Sequence, residues 1–269
     1  MTRTPASERD TALMLAELVG VIGSPSFPTQ FLAAMRALAG VDLCSVFRRD
    51  AAQPVQLLFA ESALPMADFP IRASLEYARN YWRSDHQMTR LSRAGGKGVV
   101  VVRKRASEIA DPAYRAACYD RAGIAERLSI VSPGASTLIA NGYRTADSDP
   151  FSPGDVERLE LYAGLLMAAL ACHDRAGAGA MPMFDETALV QSLMRLHCGL
   201  SSREAEISAA MILGETQDEI AARTHLSHSS VVTYRRRAYG KLGVANRRDL
   251  VRLHHRLAGG EVAFPAAPT

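Results

Sequence analysis

Apolar residues recur at three- and four-residue intervals along DTALMLAELVGVIG and again along FPTQFLAAMRALAG, so the chain opens with two amphipathic helices. SPSFP interrupts between them, Ser7 is placed to cap the first, and Gly40 closes the second. The period then falls to two. VDLCSVFRR and VQLLFAE read as strands joined by the polar turn DAAQP, GVVVVRKR after AGGK is the clearest strand, and ERLSIVS and STLIANGYR form a further pair around SPGA. IRASLEYARNYW returns to helical spacing, and SPGDVERLELYAGLLMAALACHD is a long helix with Ser152 as cap and Pro153 at its first position. Helices flanking a mostly antiparallel sheet of about five or six strands define an α/β domain, an α+β sandwich in type.

The segment DRAGAGAMPM after His173 has no periodicity and is rich in Gly, Ala and Pro, which marks a linker. Beyond it the pattern is helical throughout. LSSREAEISAAMILG has Ser201 or Ser202 as cap and turns Ile207, Ala210 and Met211 to one face, with Gly214 as its stop. Thr216 begins the short helix QDEIAART, where Glu219 at the third position completes a capping box. Ser227 caps HSSVVTYRRRAYGKL, in which Val231, Tyr234, Ala238 and Leu242 face inward, and a last helix starts near Asn246. The expected organisation is an α/β domain over 1–175, a linker over 176–195, and an all-α, four-helix domain over 196–260.

Composition changes this picture little until charge is divided along the chain. With 269 residues, 48% apolar and 22% charged, the sequence is that of a globular protein of about two domains. The polar start MTRTPASERD and the shortness of the longest apolar runs argue against a signal peptide or a membrane span and for a cytoplasmic protein. Cys44, Cys118, Cys172 and Cys198 are scattered and read as small buried hydrophobes in a reducing compartment. The net charge of +3 conceals an asymmetry: nine Lys or Arg face the single acid Asp249 between Ala221 and Ala258, and the remainder carries more acids than bases. One domain is therefore built to meet a polyanion.

A short helix, a tight turn and a longer basic helix is the arrangement that lays the second helix in the major groove of DNA. The string GETQDEIAARTHLSHSSVVTYRRRAYGKLGVANR resembles the LuxR and NarL family of helix-turn-helix transcription regulators, with Arg203, Glu204 and Glu206 matching in the preceding helix. Thr224, His225, Val232, Tyr234 and Ala238 depart from the family's usual residues, which are glycine at His225 and a basic residue at Val232. The resemblance implies that Val232, Thr233 and Arg236 face the groove. There arginine can pair with guanine, and Val232 and the Thr233 methyl can touch a thymine methyl. Thr216, Ser227, Ser229, Ser230, Arg235 and Lys241 would hold the phosphate backbone. Implied partners are duplex DNA, a second copy of the chain, RNA polymerase and a small-molecule effector.

The order of elements in the first domain resembles GAF and PAS sensory modules and, joined to this helix-turn-helix, the ligand domain of acyl-homoserine-lactone receptors. No paired acids of a phosphorylated receiver occur, and AGGKGV is not a GxxxxGK[ST] phosphate loop. In lactone receptors a Trp, a Tyr and an Asp hold the lactone; here the corresponding positions are Arg72, Glu76 and Asp85, so only the aspartate remains. Tyr77, Tyr81, Trp82 and Asp85 are instead expected to line a different pocket. The five histidines of the basic domain, among them adjacent His254 and His255, repeat no metal spacing. No nucleophile elbow or paired-acid motif points to an enzyme, and no cofactor is expected. A lactone-responsive regulator and a ligand-independent DNA-binding adaptor are the alternatives.

Overall fold

Period-two alternation over five segments is realised as one antiparallel sheet in the spatial order β2-β1-β5-β4-β3. The strands are β1 (Leu43–Asp50), β2 (Gln56–Ser62), β3 (Val100–Arg105), β4 (Ile124–Ser132) and β5 (Ser136–Thr145). The computed structural model describes residues 8–50, 55–64, 69–93, 98–134, 136–176 and 186–258. The chain divides into two units, 1–176 and 177–269. Ser7, expected to cap the first helix, lies outside the described residues.

In the first unit α1 (Glu8–Gly20), α2 (Phe27–Ala39) and the long α6 (Pro153–Ala176) accompany one face of the sheet. That face is apolar because alternate positions are apolar: Val46, Phe59, Ala140, Leu128 and Ile130 are all buried. Phe27 and Phe31 of α2 meet the Phe59 ring edge-on at 6.2 and 5.7 Å. Gly142 is where α2 comes closest, since a Cβ there would collide with Val41 and Met35. Ser152 and Asp155 exchange hydrogen bonds at the start of α6, as the sequence predicts for the cap.

The opposite face carries α3 (Phe69–Glu76), α4 (His86–Arg93) and α5 (Pro112–Cys118). One π-turn, Tyr77–Tyr81, and one 3-10 turn, Trp82–Ser84, link α3 to α4. Cross-strand register places Ser45 beside Asn141, Asn141 beside Ser129, and Lys104 beside Arg127 on this face. Ser129 donates to Asn141 at 2.7 Å, and Ser45 and Tyr143 share a hydrogen bond of 2.8 Å. The face is thus buried and polar.

The second unit holds α7 (Glu186–Met194), α8 (Ser202–Ile212), α9 (Gln217–Thr224), α10 (His228–Leu242) and α11 (Arg247–Ala258). α7 falls within the stretch expected to be linker; it buries Ala188, Leu189 and Leu193 and packs on α8, a partner that helical periodicity over so short a segment does not announce. Two other expectations differ. Cys172 is exposed on the outer side of α6 and Cys198 is half-buried, so only Cys44 and Cys118 are buried hydrophobes. Tyr234 is half-buried at the flank of α10, whereas Val231, Ala238 and Leu242 are buried.

Candidate nucleic-acid interface and ligand cavity

The turn between α9 and α10 is set by local chemistry. Thr216 accepts from the Glu219 amide at 3.3 Å, and the Glu219 carboxylate accepts from the Thr216 amide at 2.8 Å, completing the predicted capping box. α9 ends where His225 adopts a left-handed conformation, φ 54°, with its amide and that of Leu226 donating to the Ala221 carbonyl. Two residues later Ser227 accepts from the Ser230 amide at 3.1 Å and starts α10. Ser201 and Glu204 form a second capping box at α8.

With Val231, Ala238 and Leu242 anchored inward, helical geometry turns Ser229, Thr233, Arg236, Arg237 and Gly240 outward as one exposed stripe. Val232 and Ser230 are half-buried at its edge. The Thr233 hydroxyl donates to the Ser229 carbonyl at 2.9 Å, and Arg235 lies over the Tyr239 ring, 5.9 Å from its centroid. Arg236 and Arg237 have no hydrogen-bond or ion-pair partner among the described residues.

Other basic residues of this segment are engaged within the unit. Lys241 donates to the Glu204 carboxylate at 2.7 Å and to the Gly199 carbonyl at 2.8 Å, tying α10 to the start of α8. Burial would raise the Glu204 pKa, but Lys241 and the Ser201 amide hold it below the usual carboxylate value. Arg247 donates to the Met211 carbonyl at 2.7 Å, capping the end of α8 from α11, and Arg223 pairs with both Glu215 and Glu186. These clamps join residues far apart in sequence, so spacing alone carried no signal for them.

In the first unit the structure brings Tyr77, Tyr81, Trp82 and Asp85 together and adds residues that sequence reasoning missed. The Asp85 carboxylate faces the Arg127 guanidinium at 2.9 Å and accepts from Tyr77 at 3.2 Å, Tyr114 at 3.4 Å and the Met88 amide at 3.3 Å. Arg127 also donates to the Tyr114 hydroxyl at 3.1 Å, and its side chain is 1% exposed. Tyr81 stacks on Tyr114 at 5.5 Å and Trp82 meets Tyr77 edge-on at 5.9 Å. Burial alone would raise the Asp85 pKa, but Arg127 outweighs it and holds the carboxyl below its ordinary value; burial pushes Tyr77 and Tyr114 well above theirs.

Beside this network lies a cavity of about 20 Å³ walled by Leu43, Ala73, Ser74, Tyr77, Tyr114, Cys118, Tyr119 and Tyr143 among others. Of the four residues expected to line a pocket, Tyr77 lines this one. Such a volume accommodates roughly one water molecule. Glu76 is half-buried rather than enclosed.

The capped α9, the tight turn and the arginine-bearing α10 define a helix-turn-helix DNA-binding domain. Residues 199–254 match the family of bacterial regulatory proteins, luxR family, so this segment is a LuxR-family domain. The same region is 46% identical over 55 residues to the probable transcriptional regulatory protein SgaR of Hyphomicrobium methylovorum, covering 20% of this chain and 26% of SgaR. The chain thus spans about a quarter of the length of that relative. Among solved structures it is similar to CepR2 of Burkholderia cenocepacia, described as an N-acylhomoserine lactone dependent LuxR family transcription factor, with 17% identity, a TM-score of 0.46, and coverage of 61% of this chain and 95% of that one. It is also similar to SdiA of Escherichia coli, with 16% identity, a TM-score of 0.45, and coverage of 94% and 98%. Among the described residues no His, Cys, Asp or Glu cluster is placed to hold a metal ion, and no helix is long and apolar enough to cross a membrane.

Proposed function

We propose that the protein is a sequence-specific transcription regulator that binds duplex DNA as a homodimer, without catalytic activity of its own and acting in the cytoplasm. The observation that carries this reading is the outward stripe of α10, where Arg236 and Arg237 are exposed and have no partner among the described residues. Arg236 reads a base edge beside Val232 and Thr233, and Ser227, Ser229, Ser230, Arg235 and Thr216 hold the sugar-phosphate backbone. Lys241, bonded to the Glu204 carboxylate and the Gly199 carbonyl, holds α8 rather than the phosphate backbone. One recognition helix reads only a few base pairs, so a second copy is needed for a unique site, and the operator is an inverted repeat. Leu161, 75% exposed, and Leu165 on α6 offer that copy an apolar face. RNA polymerase is the partner that such a regulator recruits or blocks. Genome-wide mapping of bound DNA followed by footprinting tests the reading: a two-fold symmetric protected site is expected, and a monomer protecting an asymmetric site overturns it.

The first unit then serves as sensor and dimerisation module, with buried Tyr77 and Asp85 and half-buried Tyr81 and Trp82 as its ligand-facing side. Asp85 is already neutralised by Arg127, and Arg72 and Glu76 do not reproduce the ring donors of a lactone site, so acyl-homoserine lactones are not its effectors. Calorimetric titration with lactones of several chain lengths checks this; saturable heat abolished by Asp85→Ala would return the protein to the lactone receptors. The one-water size of the cavity favours a second reading, in which the first unit only dimerises.

A further inference from the structure

A second concavity lies at the β3 edge of the sheet, where α4 passes the strand. It is an open cleft of about 530 Å³ lined by His86, Gln87, Arg90, Arg103, Lys104 and Glu108. Its size falls within the range of small-molecule sites, roughly 300–1,000 Å³. All six lining residues carry a polar or charged group, and three of them are Lys or Arg. Arg103 is balanced by two bonds of 2.8 Å to Glu126, and Glu108, the acid of the lining, accepts from the Arg105 amide at 2.8 Å. Arg90 and Lys104 have no ion-pair or hydrogen-bond partner among the described residues. Glu108 offsets one of these charges and the cleft keeps a net positive charge, which raises the local concentration of anions.

We propose that this cleft binds a small oxyanion with several oxygens, a phosphate ester or a dicarboxylate, held between Arg90 and Lys104 with His86 and Gln87 at its side. A guanidinium grips two oxygens of such a group and an ammonium supplies a point charge beside it. Duplex DNA is a poorer match, because a DNA track neutralises many phosphates in a row and this cleft offers two free cations. Asp85 precedes His86 in the chain and Arg127 lies across from Lys104 in the sheet, so an occupant would sit next to the buried ion pair of the first unit. The site shares no residue with the α10 stripe and does not depend on the DNA-binding reading.

Calorimetric titration of the full chain with pyrophosphate and with malonate tests the proposal, the two ligands separating phosphate from carboxylate recognition. Saturable binding of at least one is expected, weakened roughly tenfold or more in the Arg90→Gln/Lys104→Gln variant and retained in Arg36→Gln, a surface arginine on α2. The thermal melt of the double variant without ligand should match the parent, and Lys104→Glu alone should weaken binding further than Lys104→Gln. No saturable heat with either anion overturns the proposal, as does binding that the double substitution leaves intact. So does loss of operator affinity in the double variant without any anion binding, which would assign the cleft to DNA.

Discussion

Two arginine-bearing surfaces of this molecule, the polar face of the sheet around Arg127 and the outer stripe of α10 around Arg236, use one residue type in opposite ways. Arg127 is fully buried, faces Asp85 at 2.9 Å and is ringed by tyrosines; Arg236 is exposed and has no partner among the described residues. A buried guanidinium must be matched by acceptors within the protein, so its network is part of the fold's stability. A solvated one contributes little to stability and is available to an external partner. The difference teaches where to look for each role: loss of the first arginine should be read in unfolding, and loss of the second in binding.

The largest effect is expected at the buried pair. Arg127→Ala leaves the Asp85 carboxylate enclosed without its cation and should lower stability by about 3–5 kcal/mol, measured by urea unfolding. Replacing both members, as Asp85→Leu with Arg127→Met, should recover most of that loss. The same pair sets an acid limit. The folded pKa of Asp85 is depressed, so its contribution is fully present above the unfolded value of about 3.9 and is lost as pH falls through the lower folded value. Melting temperature should therefore hold steady down to about pH 5 and fall below about pH 4, with a shallower fall in Asp85→Asn. An Arg127→Ala protein as stable as the parent would dissolve the contrast between the two arginines.

Lys241 sits between these extremes, since its side chain is 38% exposed yet its ammonium is bonded to the carboxylate of a glutamate side chain that is 4% exposed. Lys241→Ala should cost about 1.5 kcal/mol of stability, the lower end for a hydrogen bond to a charged group, because the Ser201 amide still donates to Glu204. The slope of log affinity against log salt on DNA should stay unchanged. A slope reduced by roughly one unit with no loss of stability would make Lys241 a phosphate contact instead.

Arg236→Ala should leave the melt of the protein unchanged and weaken binding to the preferred operator by about 1–3 kcal/mol while relaxing preference at one base pair. Arg237→Ala, its neighbour on the stripe, serves as the comparison in a gel-shift series over single-base operator variants. An equal, sequence-independent loss for both would remove Arg236 from base reading.

The same contrast explains what could be read from the sequence. The Thr216 and Glu219 box, the Ser227 cap and the inward Val231, Ala238 and Leu242 of α10 are products of short-range geometry, in which residues three and four apart meet, and each is found where spacing puts it. Five strands and the long α6 were legible from alternation and turn residues for the same reason. Arg127 was not legible: within ERLSIVS it reads as a polar strand position, and its partner Asp85 is more than 40 positions earlier in the chain. Tyr114 joins that network from α5, Tyr143 of β5 reaches it only through the ring of Tyr119, and α7 packs on α8. Tertiary contacts between distant segments leave no periodic trace.

The smallest effect concerns the turn that aims α10. His225 holds a left-handed conformation, φ 54°, at the residue that ends α9, where a side chain is disfavoured by contact between Cβ and the backbone. Relief of that strain by glycine competes with the greater freedom glycine gives the unfolded chain. Because α9 closes on Ala221 through two amides, the left-handed geometry is retained on substitution, and His225→Gly should stabilise the protein by about 0.5–1 kcal/mol. His225→Val should do the reverse, since branching at Cβ worsens the same contact. His225 is exposed and ends α9 rather than lying on the α10 stripe, so operator affinity should be equal in all three proteins once each is fully folded. Calorimetric melting and gel shift together decide the point: a His225→Gly protein that is less stable than the parent would mean that the imidazole does more for the turn than its backbone angle costs, and a change in base preference would make the turn itself part of the reading surface.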